Sequence, residues 1–202
     1  MTTIYMVRHG ETDWNVIGRY QGQEDPPLNA RGRAQAEATA EQLAQEQITA
    51  IYSSDLKRAA QTAEALAQRL NLPVHLDPRL REINQGEWQG VLVDDIRARW
   101  PERFQQWQTA PWETHPPGGE TLHDVETRIL AALADIATRH PNERVAVFTH
   151  KLPIALMRIR LKGAPHEALW SLLPKNAAWD VFDVSADELR HLLAQLTTPR
   201  AP

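Results

Sequence analysis

The sequence predicts an α/β fold, because short apolar segments rich in β-branched and aromatic residues alternate with longer segments of helical periodicity. A second observation concerns the residues that follow three of these predicted strands. Arg8-His9 follows residues 4–7, Arg58 comes shortly after residues 51–53, and His150 follows residues 145–148. Open α/β sheets bind ligands at the carboxyl ends of their strands. Two histidines and two arginines at such ends predict a pocket for a phosphate.

The first half of the chain predicts two strand–helix units. Residues 10–28 are rich in Gly, Asn, Asp and Pro and form a loop in this prediction. Asn29 is the expected N-cap of a helix that runs to about residue 45. After the strand at residues 50–53, the clearest helix has apolar residues at spacings of three and four. These are Leu56, Ala59, Ala60, Ala63, Leu66, Ala67 and Leu70. A brief strand is predicted at residues 74–76.

The second half continues the alternation after an irregular middle. Helix is predicted at residues 92–100 and again after Pro101, whereas residues 109–120 contain three prolines and two glycines and are expected to be irregular. A helix at residues 122–136 precedes a strand at residues 144–149, and Pro153 suits the first turn of the buried helix that follows. The last predicted elements are strands near residues 178–184 and 190–196. Without repeats or linkers, residues 1–202 are predicted to form one domain.

Composition limits the possible functions. With 202 residues, the chain is long enough to bury a substantial core, and a net charge of −4 disfavours a nucleic-acid partner. The absence of cysteine excludes disulfides, thiolate catalysis and cysteine-bound metals. No segment has the length of a membrane span or the pattern of a signal peptide. We therefore expect a cytoplasmic protein that acts on a small molecule and not on nucleic acid or a membrane; the oligomeric state cannot be read from the sequence.

Four blocks of the sequence resemble, in order, the motifs of the histidine phosphatase superfamily, also called the phosphoglycerate-mutase-like family. The first contains Arg8-His9-Gly10 and continues through residue 29. The other three are residues 53–63, residues 80–83 with 86–90, and Thr149-His150. The resemblance covers residues 4 to about 160. Within the superfamily, the sequence is most similar to the broad-specificity phosphatase branch. It implies a three-layer α/β/α fold with a mostly parallel central sheet.

The resemblance also implies a phosphohistidine intermediate and a role for each motif residue. His9 would be the nucleophile, and a neutral imidazole with an ordinary pKa near 6.5 suits that role at cellular pH. Arg8 and Arg58 would bind the phosphoryl oxygens, since the guanidinium group matches phosphate geometry and stays charged. His150 would be a further, protonated ligand, and Glu82 would act as general acid and then as base. No metal or cofactor is expected, because the arginines and His150 supply the positive charge.

Several positions admit more than one interpretation. Glu11, Glu87 and Glu120 are rivals of Glu82 for the role of the acid. Asn15 is predicted to contact phosphate, in preference to the alternative that it only caps a turn. Gln21 and Gly22 are also candidate phosphate contacts, with a purely structural role as the even alternative. Lys151 is a further candidate for binding the phosphate or the substrate. It stands where family members commonly have glycine, which leaves any backbone contact there in doubt but adds a charge at the pocket rim.

The sequence leaves three classes of function. A phosphomonoesterase acting on small phosphate esters is favoured. A phosphoglycerate mutase is the second class, although Ile83-Asn84-Gln85 after the glutamate offers no positive charge for a second acidic group. A module that binds phosphoproteins without turnover is the third, and the presence of both nucleophile and acid argues against it. Whether residues 109–120 form a mobile lid over the site is a further open question.

Overall fold

The computed structural model describes residues 1–197, which form five strands and eight α-helices. The strands are β1 (Thr2–Arg8), β2 (Ala50–Ser53), β3 (Val74–Leu76), β4 (Arg144–Thr149) and β5 (Trp179–Val184). The helices are α1 (Asp13–Val16), α2 (Ala30–Leu43), α3 (Lys57–Leu70), α4 (Val93–Arg99), α5 (Pro101–Thr109), α6 (Leu122–Arg139), α7 (Lys151–Lys162) and α8 (Ala186–Thr197). Short 3₁₀ helices lie at Pro78–Leu80, Gly86–Trp88 and His166–Leu172.

The strands form a single sheet in the order β3-β2-β4-β1-β5. The first four are parallel, and β5 pairs antiparallel with β1 at the edge. In the register of the central pair, Val7 lies beside Phe148 and Arg8 beside Thr149. The predicted α/β class with a mostly parallel sheet is therefore confirmed. This register brings the carboxyl ends of β1 and β4, and the residues that follow them, to the same place.

Both faces of the sheet are covered, which gives three layers. Along β1, Ile4 and Met6 face one core while Tyr5 and Val7 face the other, as the two-residue period of a strand requires. The first core contains α6, α7 and residues of α4, α5 and α8, and the second contains α2 and α3. Because both faces are buried, the central strands read as continuous apolar runs.

Most helix ends lie where the sequence predicts them. Asn29 caps α2, its side chain accepting a hydrogen bond from the Gly32 amide at 2.8 Å. Thr121 and Asp124 form a capping box at the start of α6. Pro153 lies in the first turn of α7, and residues 110–121 between α5 and α6 are irregular, as expected.

The prediction of a final strand at residues 190–196 was wrong, because these residues belong to α8. Leu189, Leu193 and Leu196 are spaced by four and three residues, which is a helical period. The Ser185 side chain accepts a hydrogen bond from the Glu188 amide at 3.1 Å where the helix begins. Leu189 is completely buried against the first core. None of the helices described is long and apolar enough to cross a membrane.

Candidate active site

The ends of the two central strands bring the two predicted catalytic histidines together. His9 follows β1 and His150 follows β4, and their ring centroids are 5.2 Å apart. Both side chains are buried. A cleft at this end of the sheet is lined by His9 and by ten other residues, among them Arg8, Arg58, Glu82 and Lys151. The structure therefore brings the residues of all four sequence motifs to one site.

The surroundings of His9 define which of its nitrogens can react. Its Nδ1 lies 2.6 Å from the carbonyl oxygen of Gly10. Because a carbonyl only accepts hydrogen bonds, Nδ1 carries the proton and Nε2 keeps its lone pair. Burial lowers the pKa of His9 well below 6.5, and the charges of Arg58 and Arg8 lower it further. The imidazole is consequently neutral near pH 7, with Nε2 available as a nucleophile.

Arg8 and Arg58 place two positive charges beside that imidazole. One guanidinium nitrogen of Arg8 donates to the Pro174 carbonyl at 2.7 Å. Arg58, at the start of α3, donates to the carbonyls of Gly22 and Glu24 at 2.8 and 2.7 Å. Desolvation lowers the pKa of each to about 10, so both remain charged at pH 7. The Nε atom of each is buried without a partner among the described residues.

His150 is fully buried and is held by a hydroxyl group. Its Nε2 lies 2.9 Å from Ser54 Oγ, whereas its Nδ1 is buried without a partner within the part of the chain that the structure describes. Burial, followed by the charge of Arg58, lowers the pKa of His150 well below 6.5. This direction opposes the protonated form expected from the sequence. A neutral ring that accepts a hydrogen bond from Ser54 still has Nδ1–H to donate to an anion.

Glu82 is the carboxylate that borders the cleft. Its side chain is buried, and Oε1 accepts a hydrogen bond from the Ile83 amide at 3.0 Å. Its three rivals do not line the cleft. Glu11 accepts from Asn29 at 3.0 Å, Glu87 is exposed, and Glu120 binds Arg128 through both oxygens at 2.8 and 2.9 Å. Glu82 therefore keeps its predicted place at the site.

Asn15 both caps a turn and borders the cleft. Its Oδ1 accepts hydrogen bonds from the Thr12 amide at 3.1 Å and from Asn176 at 3.2 Å, within the capping box of α1. These donors orient the amide so that its Nδ2 is the group left to donate into the cleft. In the same way, Gln21 Oε1 accepts a hydrogen bond from the Thr12 hydroxyl at 3.1 Å. This leaves the amide nitrogen of Gln21, Nε2, as a donor.

Gly22 also lines the cleft, and the backbone requires glycine there. Its φ is +50°, in the left-handed region that favours glycine, and an added Cβ would lie 2.4 Å from Gln89 Oε1. Its carbonyl holds Arg58. Lys151, in contrast, is the first residue of α7 and is not among the described residues with positive φ. The backbone therefore does not need glycine at position 151, and the lysine lines the cleft with its side chain partly buried.

Sequence reasoning missed several residues that line or support the site. Arg19, Tyr20 and Gln85 also line the cleft. Asn176 lies in the loop before β5 and donates to the carbonyls of His9 and Gly10, both at 3.2 Å. Arg128, in α6, donates to the carbonyl of Glu82 at 2.9 Å. Arg19 lies inside the first motif, so the sequence could have predicted it as a site residue. No local sequence signal marks Asn176 or Arg128.

The segment at residues 109–120 does not line the cleft. It contacts the loop after Glu82 instead: the Glu120 amide donates to Asn84 and the Glu87 amide to Pro117, both at 2.9 Å. Gly86 and Gly119 allow the two backbones to approach closely. The segment thus supports the loop that carries Glu82. No cluster of three or more potential metal ligands occurs among residues 1–197.

Together these groups form a cationic pocket around a neutral nucleophile. Arg8, Arg58 and His150 each present a buried N–H that the described residues leave unsatisfied, and a buried donor without a partner is costly. A tetrahedral oxyanion offers acceptors for all of them. The arrangement can therefore bind a phosphoryl group beside His9. Among the described residues, Glu82 is the only carboxylate that lines the cleft.

Comparison with known proteins agrees with this geometry. The model of the histidine phosphatase superfamily (branch 1) matches residues 4–196. Phosphoserine phosphatase 1 of Hydrogenobacter thermophilus is 37% identical over 196 residues, which cover 97% of this chain and 92% of that protein. A glucosyl-3-phosphoglycerate phosphatase of Mycobacterium tuberculosis is 43% identical over 187 residues, covering 87% of this chain and 82% of that protein. The chain belongs to the histidine phosphatase superfamily, as the resemblance implied.

Solved structures show the same fold. Bacillus stearothermophilus YhfR superposes with a TM-score of 0.85 at 37% identity and covers 92% of both chains. A mycobacterial glucosyl-3-phosphoglycerate phosphatase in complex with VO3 superposes with a TM-score of 0.81 at 36% identity, covering 89% of this chain and 90% of that one. The predicted fold class and family are both confirmed.

Proposed function

We propose that this protein is a phosphomonoesterase that hydrolyses small-molecule phosphate esters through a phosphohistidine intermediate on His9. The observation that carries the proposal is the tautomer and the neutral charge of the His9 imidazole. Its Nδ1 is held by the Gly10 carbonyl at 2.6 Å, so Nε2 has a free lone pair beside the charges of Arg8 and Arg58. A neutral nucleophile within a cationic pocket is what attack on an anionic phosphoryl group requires.

In the first step, Arg8, Arg58 and His150 bind the phosphoryl oxygens, with Asn15 and Gln21 as further donors. The Nε2 atom of His9 forms a bond to phosphorus while the bond from phosphorus to the ester oxygen breaks. A protonated Glu82 transfers its proton to the departing alkoxide, so the product leaves as an alcohol. The charges stabilise the transferring group throughout, which makes them the main catalytic device.

In the second step, water replaces the alcohol. The Glu82 carboxylate takes a proton from the water as its oxygen bonds to phosphorus, and the bond from phosphorus to His9 breaks. This releases inorganic phosphate and restores both the neutral imidazole and the protonated Glu82. The same residue thus serves as acid and then as base. Arg8 and Arg58 already supply the positive charge for phosphoryl transfer, which supports a mechanism without a metal ion.

The relatives support the substrate class. Those named above are a phosphoserine phosphatase and a glucosyl-3-phosphoglycerate phosphatase, and both names describe phosphate esters of small molecules. The net charge of −4 is consistent with a small-molecule substrate, because a nucleic-acid partner favours a strongly basic surface. We also propose that the protein acts in the cytoplasm.

One comparison favours a second candidate, a phosphoglycerate mutase. A probable phosphoglycerate mutase of Proteus mirabilis is 36% identical over 182 residues, which cover 88% of this chain and 83% of that protein. A mutase would return the phosphoryl group to bound substrate instead of water. Release of inorganic phosphate from 3-phosphoglycerate without formation of 2-phosphoglycerate would favour the phosphatase.

Trapping the phosphoenzyme tests the proposal directly. Wild type quenched during turnover of a ³²P-labelled ester should carry acid-labile, base-stable label, and His9→Ala should carry none and lack turnover. His191→Ala is the matched control, because His191 is exposed on α8 and, among the described residues, its ring forms a hydrogen bond only with Gln195. It should behave as wild type. Substantial turnover by folded His9→Ala would refute the assignment of the nucleophile.

A further inference from the structure

We propose that Lys151 determines substrate specificity by binding a carboxylate on the leaving-group side of the substrate. The inference rests on the proposed phosphatase function and narrows its substrates to phosphate esters of small hydroxy acids. Four observations carry it: Lys151 lines two adjoining cavities, it has no hydrogen-bond or ion-pair partner among the described residues, its position in the helix disfavours a positive charge, and the second cavity has apolar lining residues.

Lys151 lies where the phosphate cleft continues into a second cavity. Four residues line both spaces, namely Asn15, Arg19, Tyr20 and Lys151. The second cavity, which His9 does not line, is otherwise lined by Trp14, Gly18 and Val93. An ester whose phosphoryl group is held beside His9 can therefore extend past these shared residues into this cavity. In the proposed binding mode, the substrate carboxylate lies at this junction, beside the Lys151 side chain.

The ammonium of Lys151 has no hydrogen-bond or ion-pair partner within residues 1–197. Two other lysines of this chain do have one. Lys57 lies 3.5 Å from Asp25, and Lys162 lies 2.9 Å from Asp180. Arg19 is not available in the same way, because its guanidinium donates to the Gly90 carbonyl and lies 5.5 Å from the centre of the Trp14 ring. Of the two cations at the junction, Lys151 is thus the one without a hydrogen-bond or ion-pair partner among the described residues.

The position is also unfavourable for a cation. Lys151 is the first residue of α7, where the helix dipole disfavours positive charge, and the first turn of that helix contains no acidic residue. Desolvation lowers the pKa of Lys151, and the charge of Arg8 lowers it further, while Glu82 opposes both. An anionic group brought by the substrate would offset these penalties. A lysine with this balance of charges suits an anion that arrives with the ligand.

The walls of the second cavity suit a short carbon skeleton. The Trp14 ring and the Val93 side chain offer apolar contact, and Gly18 leaves room beside them. The carboxylate would lie at the Lys151 end and the carbon chain along this wall. The chemical class is therefore a small acid that is esterified with phosphate close to its carboxylate.

Two substrates that differ only in the carboxylate test the proposal. In glycerol 3-phosphate, a hydroxymethyl group replaces the carboxylate of 3-phosphoglycerate. Wild type should show a higher kcat/KM for 3-phosphoglycerate, and Lys151→Met should lower that value about 10- to 100-fold, the usual worth of a hydrogen bond to a charged group. Its kcat/KM for glycerol 3-phosphate should change by less than about threefold. Lys151→Arg should retain part of the preference.

The control variant is Lys162→Met, which removes one positive charge from α7 at a position away from both cavities. It should keep the wild-type preference. Equal loss on both substrates in Lys151→Met would overturn the proposal, since the lysine would then act on the phosphoryl group. Absence of any preference in wild type would overturn it as well.

Equilibrium binding separates this inference from the proposed function. The affinities of His9→Ala for the two esters can be measured by calorimetry without turnover. A preference for 3-phosphoglycerate that disappears in His9→Ala/Lys151→Met would establish the subsite, even if wild type hydrolysed neither ester and the phosphatase proposal failed. Equal affinities in His9→Ala would overturn the subsite, even if wild type were an active phosphatase.

Discussion

Replacing Glu82 by glutamine should slow the cleavage of poor leaving groups selectively. Glutamine keeps an oxygen for the Ile83 amide, which now bonds to Glu82 Oε1 at 3.0 Å, so the loop conformation should be unchanged. What is lost is a transferable proton at the carboxyl group that borders the cleft. General acid catalysis is typically worth ~10²–10⁴-fold, or about 3–5 kcal/mol of transition-state stabilisation. An alkyl phosphate should lose that full factor, whereas p-nitrophenyl phosphate, whose phenolate needs little protonation, should lose far less.

The step to compare is single-turnover phosphorylation of His9, because slow hydrolysis of the phosphohistidine would mask the difference in steady state. Rapid-quench measurement of the phosphoenzyme with both substrates gives this rate. Glu87→Gln is the matched control: Glu87 is exposed on the same loop and does not line the cleft. Equal slowing of phosphorylation for both substrates in Glu82→Gln would refute a role as general acid and would mean that Glu82 positions the phosphate or His9.

Two further predictions concern stability and positioning. Burial lowers the pKa of His9 and His150 below the unfolded value near 6.5, so the unfolded state binds more protons and stability should fall as pH drops below about 6.5. The slope of the free energy of unfolding approaches about 1.4 kcal/mol per pH unit for each histidine. Urea unfolding at pH 7.5 and 5.5 should show a smaller loss of this free energy in His150→Asn than in wild type. Identical losses would contradict the argument. Asn176→Ala should lower kcat about 5- to 30-fold with little change in KM, since it removes the donor to His9 and Gly10. Asn176→Asp should be no better, because a carboxylate cannot donate, and wild-type kcat in either variant would exclude the positioning role.

The part of the site that follows from the sequence is the part carried by the central sheet. Apolar runs that end in Arg8-His9 and in His150 predict two strands whose carboxyl ends hold charged side chains, and the parallel register of β1 and β4 brings those ends together. Arg58 follows from the same logic, because α3 begins directly after the loop that follows β2. Hydrophobic period and strand ends are local signals, so a single sequence contains them.

The sequence does not specify contacts that join distant segments. Asn176 reaches His9 across 167 positions of the chain, and Ser54 reaches His150 across 96. Neither residue type is unusual in a loop, and neither lies in a periodic pattern. The wrong strand at residues 190–196 has a different cause: a short leucine-rich segment suits both a strand and a helix, and packing of Leu189 against the first core decides between them.

The placement of the proposed acid shows why a motif alone cannot define a site. Glu82 lies in an irregular loop, whose backbone carbonyls need donors that no helix or strand provides. Arg128 supplies them: its guanidinium donates to the carbonyls of Arg79, Arg81 and Glu82, and it also binds Glu120 through two hydrogen bonds. Glu120 in turn accepts a hydrogen bond from the Asn84 amide at 2.8 Å. The loop is therefore held on both the N-terminal and the C-terminal side of Glu82. Glu120, a rival acid in the sequence analysis, is therefore held in another role by Arg128. The loop that presents Glu82 depends on this arginine of α6, which lies 46 positions further along the chain.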